Sequence, residues 1–161
     1  MSIVFSGSDL INIAIGIERR GITFYDIMAK STDNEGARAV FDELVEMERE
    51  HLKTFQGMLE KTNEQRDAEV PKQEYSDYLQ ALMDNAVFTD DIITSEMATQ
   101  ADSDIKAIEL GISAEKDSIL FYYEMKDNIT RRTAPVMDRI IAEEKLHLKQ
   151  LSEIKKRLAA S

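Results

Sequence analysis

The sequence predicts an all-α protein: a four-helix bundle of two similar helical hairpins joined by a long, partly helical crossover. Three observations carry this expectation. Only two prolines and six glycines interrupt 161 residues rich in Glu, Lys, Leu, Ile, Ala and Met, the composition of a helical chain. Apolar residues recur with helical periodicity over four stretches, roughly Ser8 to Lys30, Glu35 to Lys61, Ser103 to Asn128 and Pro135 to Ala159, and no strand signal competes. The chain also repeats itself. Phe41 to Lys53 matches Met137 to Lys149 in its apolar, acidic and histidine positions, and Glu18 with Ile22 to Tyr25 echoes Glu115 with Ile119 to Tyr122.

Taken in order, the first two helices are joined by a short connection at Ser31 to Asn34, which makes an antiparallel hairpin over about residues 8–61. The last two are joined at Ile129 to Ala134 and form a second hairpin over about 103–159. The crossover, about 62–102, opens with a polar stretch from Thr62 to Lys72 that contains Pro71. It then shows Tyr75, Tyr78, Leu79, Leu82, Met83 and Ala86 at amphipathic spacing, which predicts a helix of its own. The whole of 1–161 reads as one domain.

Composition narrows the chemistry. With no cysteine, the chain has no thiolate nucleophile, zinc ribbon or iron–sulfur ligand, so any metal must use carboxylate, imidazole or backbone donors. A net charge of −11 repels phosphate backbones and anionic lipid, which argues against nucleic acid or a membrane surface as partner. The first residues, Met1 to Gly7, have no basic region ahead of an apolar run, and no stretch approaches a membrane span. The expected setting is the cytoplasm.

The informative feature is where acid and histidine fall. On the second helix the buried stripe reads Phe41, Leu44, Glu48, His51, Phe55, Met58; on the fourth, Met137, Ile140, Glu144, His147, Leu151, Ile154. The third reads Ile105, Ile108, Ile112, Glu115, Ile119, Tyr122, and on the first Ile11 and Tyr25 lie seven residues either side of Glu18. Each apolar seam is therefore broken at its middle by ligand-type groups. Four ionised carboxylates in a core are very costly unless they pair, protonate or bind metal, and the seams carry no Lys or Arg beside them. Two divalent cations balance four carboxylates.

Residues three apart on a helix lie about 60° apart around its axis and roughly 4.5 Å along it. Glu48 with His51 is thus expected to grip one ion and Glu144 with His147 the other, with Glu18 and Glu115 binding terminally or bridging. The same six ligands would carry any redox chemistry. Tyr25 and Tyr122, two turns beyond the single glutamates, are candidates to place hydroxyls near the metals; plain core packing is the alternative. Gly16, Gly21 and Gly111 read as tolerated glycines more than as close-approach points, and Met28, Met47, Met58 and Met125 as packing residues.

The order Glu, Glu-x-x-His, Glu, Glu-x-x-His, with a tyrosine seven residues after the first Glu, resembles the rubrerythrin branch of the ferritin-like superfamily over all four main helices. The resemblance implies a ferritin-like bundle in which Glu18, Glu48, His51, Glu115, Glu144 and His147 bind two irons, oxygen-bridged when oxidised, that react with hydrogen peroxide or dioxygen. The sequence departs from that family in three ways. It has no four-cysteine rubredoxin module, so an external electron donor is expected; Ser118 stands where members often carry a further Glu; and the crossover is long. Bacterioferritins share the ligand order, but Arg49 replaces the haem-binding methionine that would follow Glu48, so no haem is expected. Homodimerisation is expected by analogy.

Other activities stay open at this point: a ferroxidase or iron-handling protein, a di-manganese catalase-like protein, a di-iron hydroxylase, or a non-catalytic metal sensor. Carboxylate and imidazole donors serve manganese and iron alike. A substrate-sized apolar pocket beside the metals would favour a hydroxylase.

Overall fold

Ser6 and Asp9 fix the start of the first helix by reciprocal bonds. The Ser6 hydroxyl accepts from the Asp9 amide at 3.2 Å, and the Asp9 carboxylate accepts from the Ser6 amide at 2.8 Å. Helix α1 then runs over Gly7–Ser31. Buried Thr32 ends it: its amide donates to the Met28 carbonyl at 3.0 Å, and its hydroxyl accepts from the Asn34 amide at 3.1 Å. Asn34 in turn accepts from the Ala37 amide at 2.9 Å and so caps α2, Glu35–Glu64. Arg38 reaches back to the carbonyls of Ala29 and Thr32 at 3.2 and 2.6 Å, groups that a helix end cannot satisfy by itself. The hairpin is tied at its turn.

The computed structural model describes residues 6–64, 73–86, 104–128 and 133–160. Helix α3 spans Gln73–Asp84, α4 Asp104–Asn128 and α5 Ala134–Ala160. Every regular element among the described residues is helical, as predicted. Thr62 to Glu64 prolong α2 instead of opening the crossover. The rest of the predicted polar stretch with Pro71, the predicted crossover over 87–102, Ser103, the predicted connection at 129–132, residues 1–5 and Ser161 lie outside the described residues. Pro135 sits in the first turn of α5, where an amide has no intrahelical acceptor to lose. No helix among the described residues is long and apolar enough to cross a membrane.

Helix α1 packs along α2, and α4 along α5; the hairpins meet through α1 with α4 and α2 with α5, while α3 rests on α4. Their interior divides into two apolar layers. One gathers Leu10, Ile11, Phe55, Met125, Met137 and Ile140 with Leu79 of α3; the other gathers Phe24, Phe41, Leu44, Ile108, Leu151 and Ile154. Side chains of this size contribute about 1.5–3 kcal/mol each on full burial, so the layers can support a polar belt between them.

The stripes read from the sequence for α1, α2 and α5 are buried throughout. That for α4 needs correction. Ile108, Glu115 and Tyr122 are buried, but Ile105, Ile112 and Ile119 are only half-buried, and Gly111, Ser118, Phe121 and Met125 take the inner positions. The seam is rotated toward α1 and α5. Among the three glycines, only Gly111 is a true close approach: a Cβ there would lie 3.2 Å from the Tyr25 ring and 3.3 Å from Leu151, whereas at Gly16 it would meet only the mobile end of Arg20 and at Gly21 it would touch Glu48 at an ordinary 3.6 Å. Met28, Met58 and Met125 are buried in the apolar layers, and Met47 is half-buried.

Candidate metal centre

Between the two apolar layers the four long helices place six polar side chains. Glu18 comes from α1, Glu48 and His51 from α2, Glu115 from α4, and Glu144 and His147 from α5, and all six are at most 4% exposed. They are the six residues read from the sequence. Burying four carboxylates and two imidazoles together is tolerable only if their donor atoms find protons or cations.

The donor atoms form two groups, each within 4.8 Å: Glu18, Glu48, His51 and Glu144 in one, and Glu48, Glu115, Glu144 and His147 in the other. Glu48 and Glu144 belong to both groups, while Glu18 and Glu115 belong to one each. Sequence spacing left open whether the single glutamates bind terminally or bridge; the geometry puts the sharing on the helices that carry histidine. His51 Nδ1 lies 3.2 Å from Glu48 and from Glu144 and 3.6 Å from Glu18. His147 Nδ1 lies 3.0 Å from Glu144 and 3.7 Å from Glu48 and from Glu115. The rings lie 5.6 Å apart, inclined by 24°, and turn the same nitrogen inward.

Fit to a metal pair can be judged on atoms that have nothing else to do. Glu144 Oε2 and both ring nitrogens of His147 are buried without a hydrogen-bond partner. Nδ1 and Oε2 approach to 3.0 Å yet are not aligned as donor and acceptor. Convergent lone pairs of this kind suit a cation, and the carboxylate and imidazole set suits iron or manganese. The residues fit.

The tyrosines are part of the centre rather than plain core. Tyr25 of α1 donates its hydroxyl to Glu115 of α4, and Tyr122 of α4 donates to Glu18 of α1, so each reaches the single glutamate of the other hairpin. Phe41 stacks on Tyr25 and Phe55 packs against Tyr122, which holds both rings in place. Glu143 is a residue the sequence reading missed. Its carboxylate lies 2.7 Å from His51 Nε2, which orients the ring and turns Nδ1 toward the carboxylates of the centre. One sequence gives no signal for it: Glu143 is 35% exposed, like a solvated surface glutamate, and Met47 occupies the matching place in the first hairpin. Converting Glu143 to Gln is expected to weaken binding of one metal about 10–100-fold while leaving the second unchanged, as read by metal titration. Equal weakening of both would show that Glu143 does not act through His51.

In the metal-free chain the electrostatics are strained. Burial first, then the neighbouring Glu144, Glu18 and Glu115, push Glu48 well above the usual carboxylate range, and burial with Glu115 and Glu18 does the same to Glu144. Burial also opposes ionisation of Glu18, but hydrogen bonds to His51, Glu48 and Tyr122 outweigh it and hold that carboxyl low. Burial disfavours a charged His51, yet Glu144, Glu18 and Glu48 overcome it and raise the imidazole; His147 is raised by Glu115 against the same opposition. Protons thus occupy the centre when metal does not. Burial, followed by Glu115 for Tyr25 and Glu18 for Tyr122, lifts both phenols well above their ordinary range, so they remain donors at neutral pH.

Comparison with known proteins bears on the same helices. None of the curated proteins matches the chain. A solved structure from Thermotoga maritima, described as a ferritin-like diiron-carboxylate protein, is similar over 95% of this chain and 96% of its own, with a TM-score of 0.71 and 28% identity. The family model described as Rubrerythrin matches residues 9–155, a span that includes all six buried carboxylate and imidazole residues, both tyrosines and Glu143. With a ferritin-like di-iron-carboxylate fold and a match along nearly its whole length, the chain belongs to the rubrerythrin family.

Proposed function

We propose that this protein is a di-iron oxidoreductase that reduces hydrogen peroxide or dioxygen, with electrons from an external donor. The observation that supports the reading best is the pair of four-residue groups sharing Glu48 and Glu144, an arrangement suited to two ions held side by side. Glu18, Glu48, Glu115 and Glu144 with the Nδ1 atoms of His51 and His147 would hold them. A bound iron pair supplies two electrons for O–O cleavage by cycling between ferrous and ferric forms.

The chain's own residues do the rest. The apolar layers shield the centre from bulk water along the bundle on either side, which strengthens the electrostatic contacts inside it. Tyr25 and Tyr122 fix Glu115 and Glu18 by hydrogen bonds and keep a proton at each phenolic oxygen beside the site. Glu143 fixes the His51 ring. Reduction of peroxide to two waters takes two electrons and two protons, and with no cysteine in the chain there is no iron–sulfur relay within it.

Elemental analysis of native protein should find near two irons per chain. Anaerobically reduced protein given peroxide should reoxidise in a fast, stoichiometric step. Peroxide loss at only the buffer rate would remove the oxidoreductase reading, and manganese in place of iron would move it to catalase-like chemistry. A large closed shell by light scattering, instead of a dimer, would turn it toward iron storage.

A further inference from the structure

We propose that the centre is served by a binding site for a small, neutral, largely apolar organic molecule of about one ring, lying between α1 and α4 beneath α3. This rests on the di-metal reading above and names a ligand class for that same centre. A cavity of about 210 Å³ opens there. Its inner wall includes Glu18, Glu48, Glu115 and Tyr25, and its outer walls are mostly apolar, with Ile13 and Ile17 from α1, Phe121 from α4 and Leu82 and Met83 from α3.

Size decides against peroxide or dioxygen as its only occupant. An apolar cavity of roughly 150 Å³ is enough to bind benzene, so this one has room for a ring with a substituent, whereas peroxide has two heavy atoms. Chemistry decides the class. A charged ligand would lose its hydration against the isoleucine, leucine, methionine and phenylalanine walls, while an apolar one gains by leaving water. The small residues Gly21 and Ser118, each three positions after a single glutamate, both line the cavity, so matching points of α1 and α4 leave the space between them clear. Arg20 and Asp117 also line it, each already engaged in an interaction of its own. The cavity therefore joins an apolar chamber directly to the carboxylates of the centre.

The test uses the full chain and toluene as probe. Toluene titrated into the metal-free protein should produce saturable NMR shifts at the methyl groups of Ile13, Ile17 and Leu82, and in protein loaded with manganese its own protons should relax faster. Met83→Trp, and independently Ala86→Phe, fill the cavity from outside the four helices that carry the buried cluster. Each should weaken toluene binding at least tenfold while helix content and manganese stoichiometry stay as in the parent. Benzoate, similar in size but anionic, should bind at least tenfold more weakly than toluene.

Unsaturable shifts, toluene binding that survives both fillings, or equal binding of benzoate would overturn the proposal. Because the shifts are read without metal and the stoichiometry separately, a chain that loads manganese but ignores toluene sinks this site alone. One that binds toluene but loads no metal sinks the di-metal reading instead.

Discussion

Replacing Glu144 by Gln should take the metal content from near two per chain to near zero, while making the metal-free protein more stable by on the order of 1 kcal/mol. Both effects come from one position. Glu144 contributes to each of the two donor groups, so its loss damages both sites at once, unlike Glu18 or Glu115, which belong to one each. In the metal-free chain the same carboxyl is held well above its usual range by burial and by Glu115 and Glu18, so at neutral pH folding must put a proton on a group that is ionised in the unfolded chain, a cost that an amide avoids. An amide keeps the shape and avoids a cavity. Glu115→Ala should behave differently, because it strands the buried Tyr25 hydroxyl, at a cost of about 1–3 kcal/mol, and opens space beside it. Metal analysis with thermal melts of the stripped proteins decides the matter. Two metals retained by Glu144→Gln would mean that Glu144 is not shared.

What the sequence revealed and what it hid follow from the same physics. Glu48 with His51 and Glu144 with His147 were legible because a carboxylate and an imidazole three apart, set inside an apolar seam, have no cheap explanation without a partner. The internal repeat pointed to Glu18 and Glu115 in the same way. Helix α4 was harder, since apolar residues surround most of it and the period can be laid down more than one way; Gly111 and Ser118 carry too little side chain to announce that they face inward. The tyrosines show a different limit. Their spacing placed them near the centre, but that each bonds to the glutamate of the opposite hairpin depends on how α1 and α4 come together. Sharing of Glu48 and Glu144 is likewise a product of four helices meeting, and the cavity roofed by α3 belongs to no single helix.

Metal-free and metal-loaded protein should respond to pH in opposite directions. Glu48, Glu144, His51 and His147 all have folded-state affinities for protons above those of the unfolded chain, so folding without metal takes up protons. For a raised group the stabilisation is complete below its unfolded pKa and is lost as pH climbs toward the folded one. The carboxyls therefore start to cost stability above about 4.5, and the imidazoles above about 6.5. Glu18, lowered instead of raised, opposes the trend. Chelator-treated protein should melt at a higher temperature near pH 5.5 than near pH 8.5, the difference growing across that window. With metal bound the protons are displaced, so metal affinity rises with pH and each equivalent added at neutral pH should release protons into a weakly buffered solution. Stripped protein that melts higher at alkaline pH would mean that Glu48 and Glu144 are balanced by something other than protons, and the case for a centre built around cations would lose its electrostatic basis.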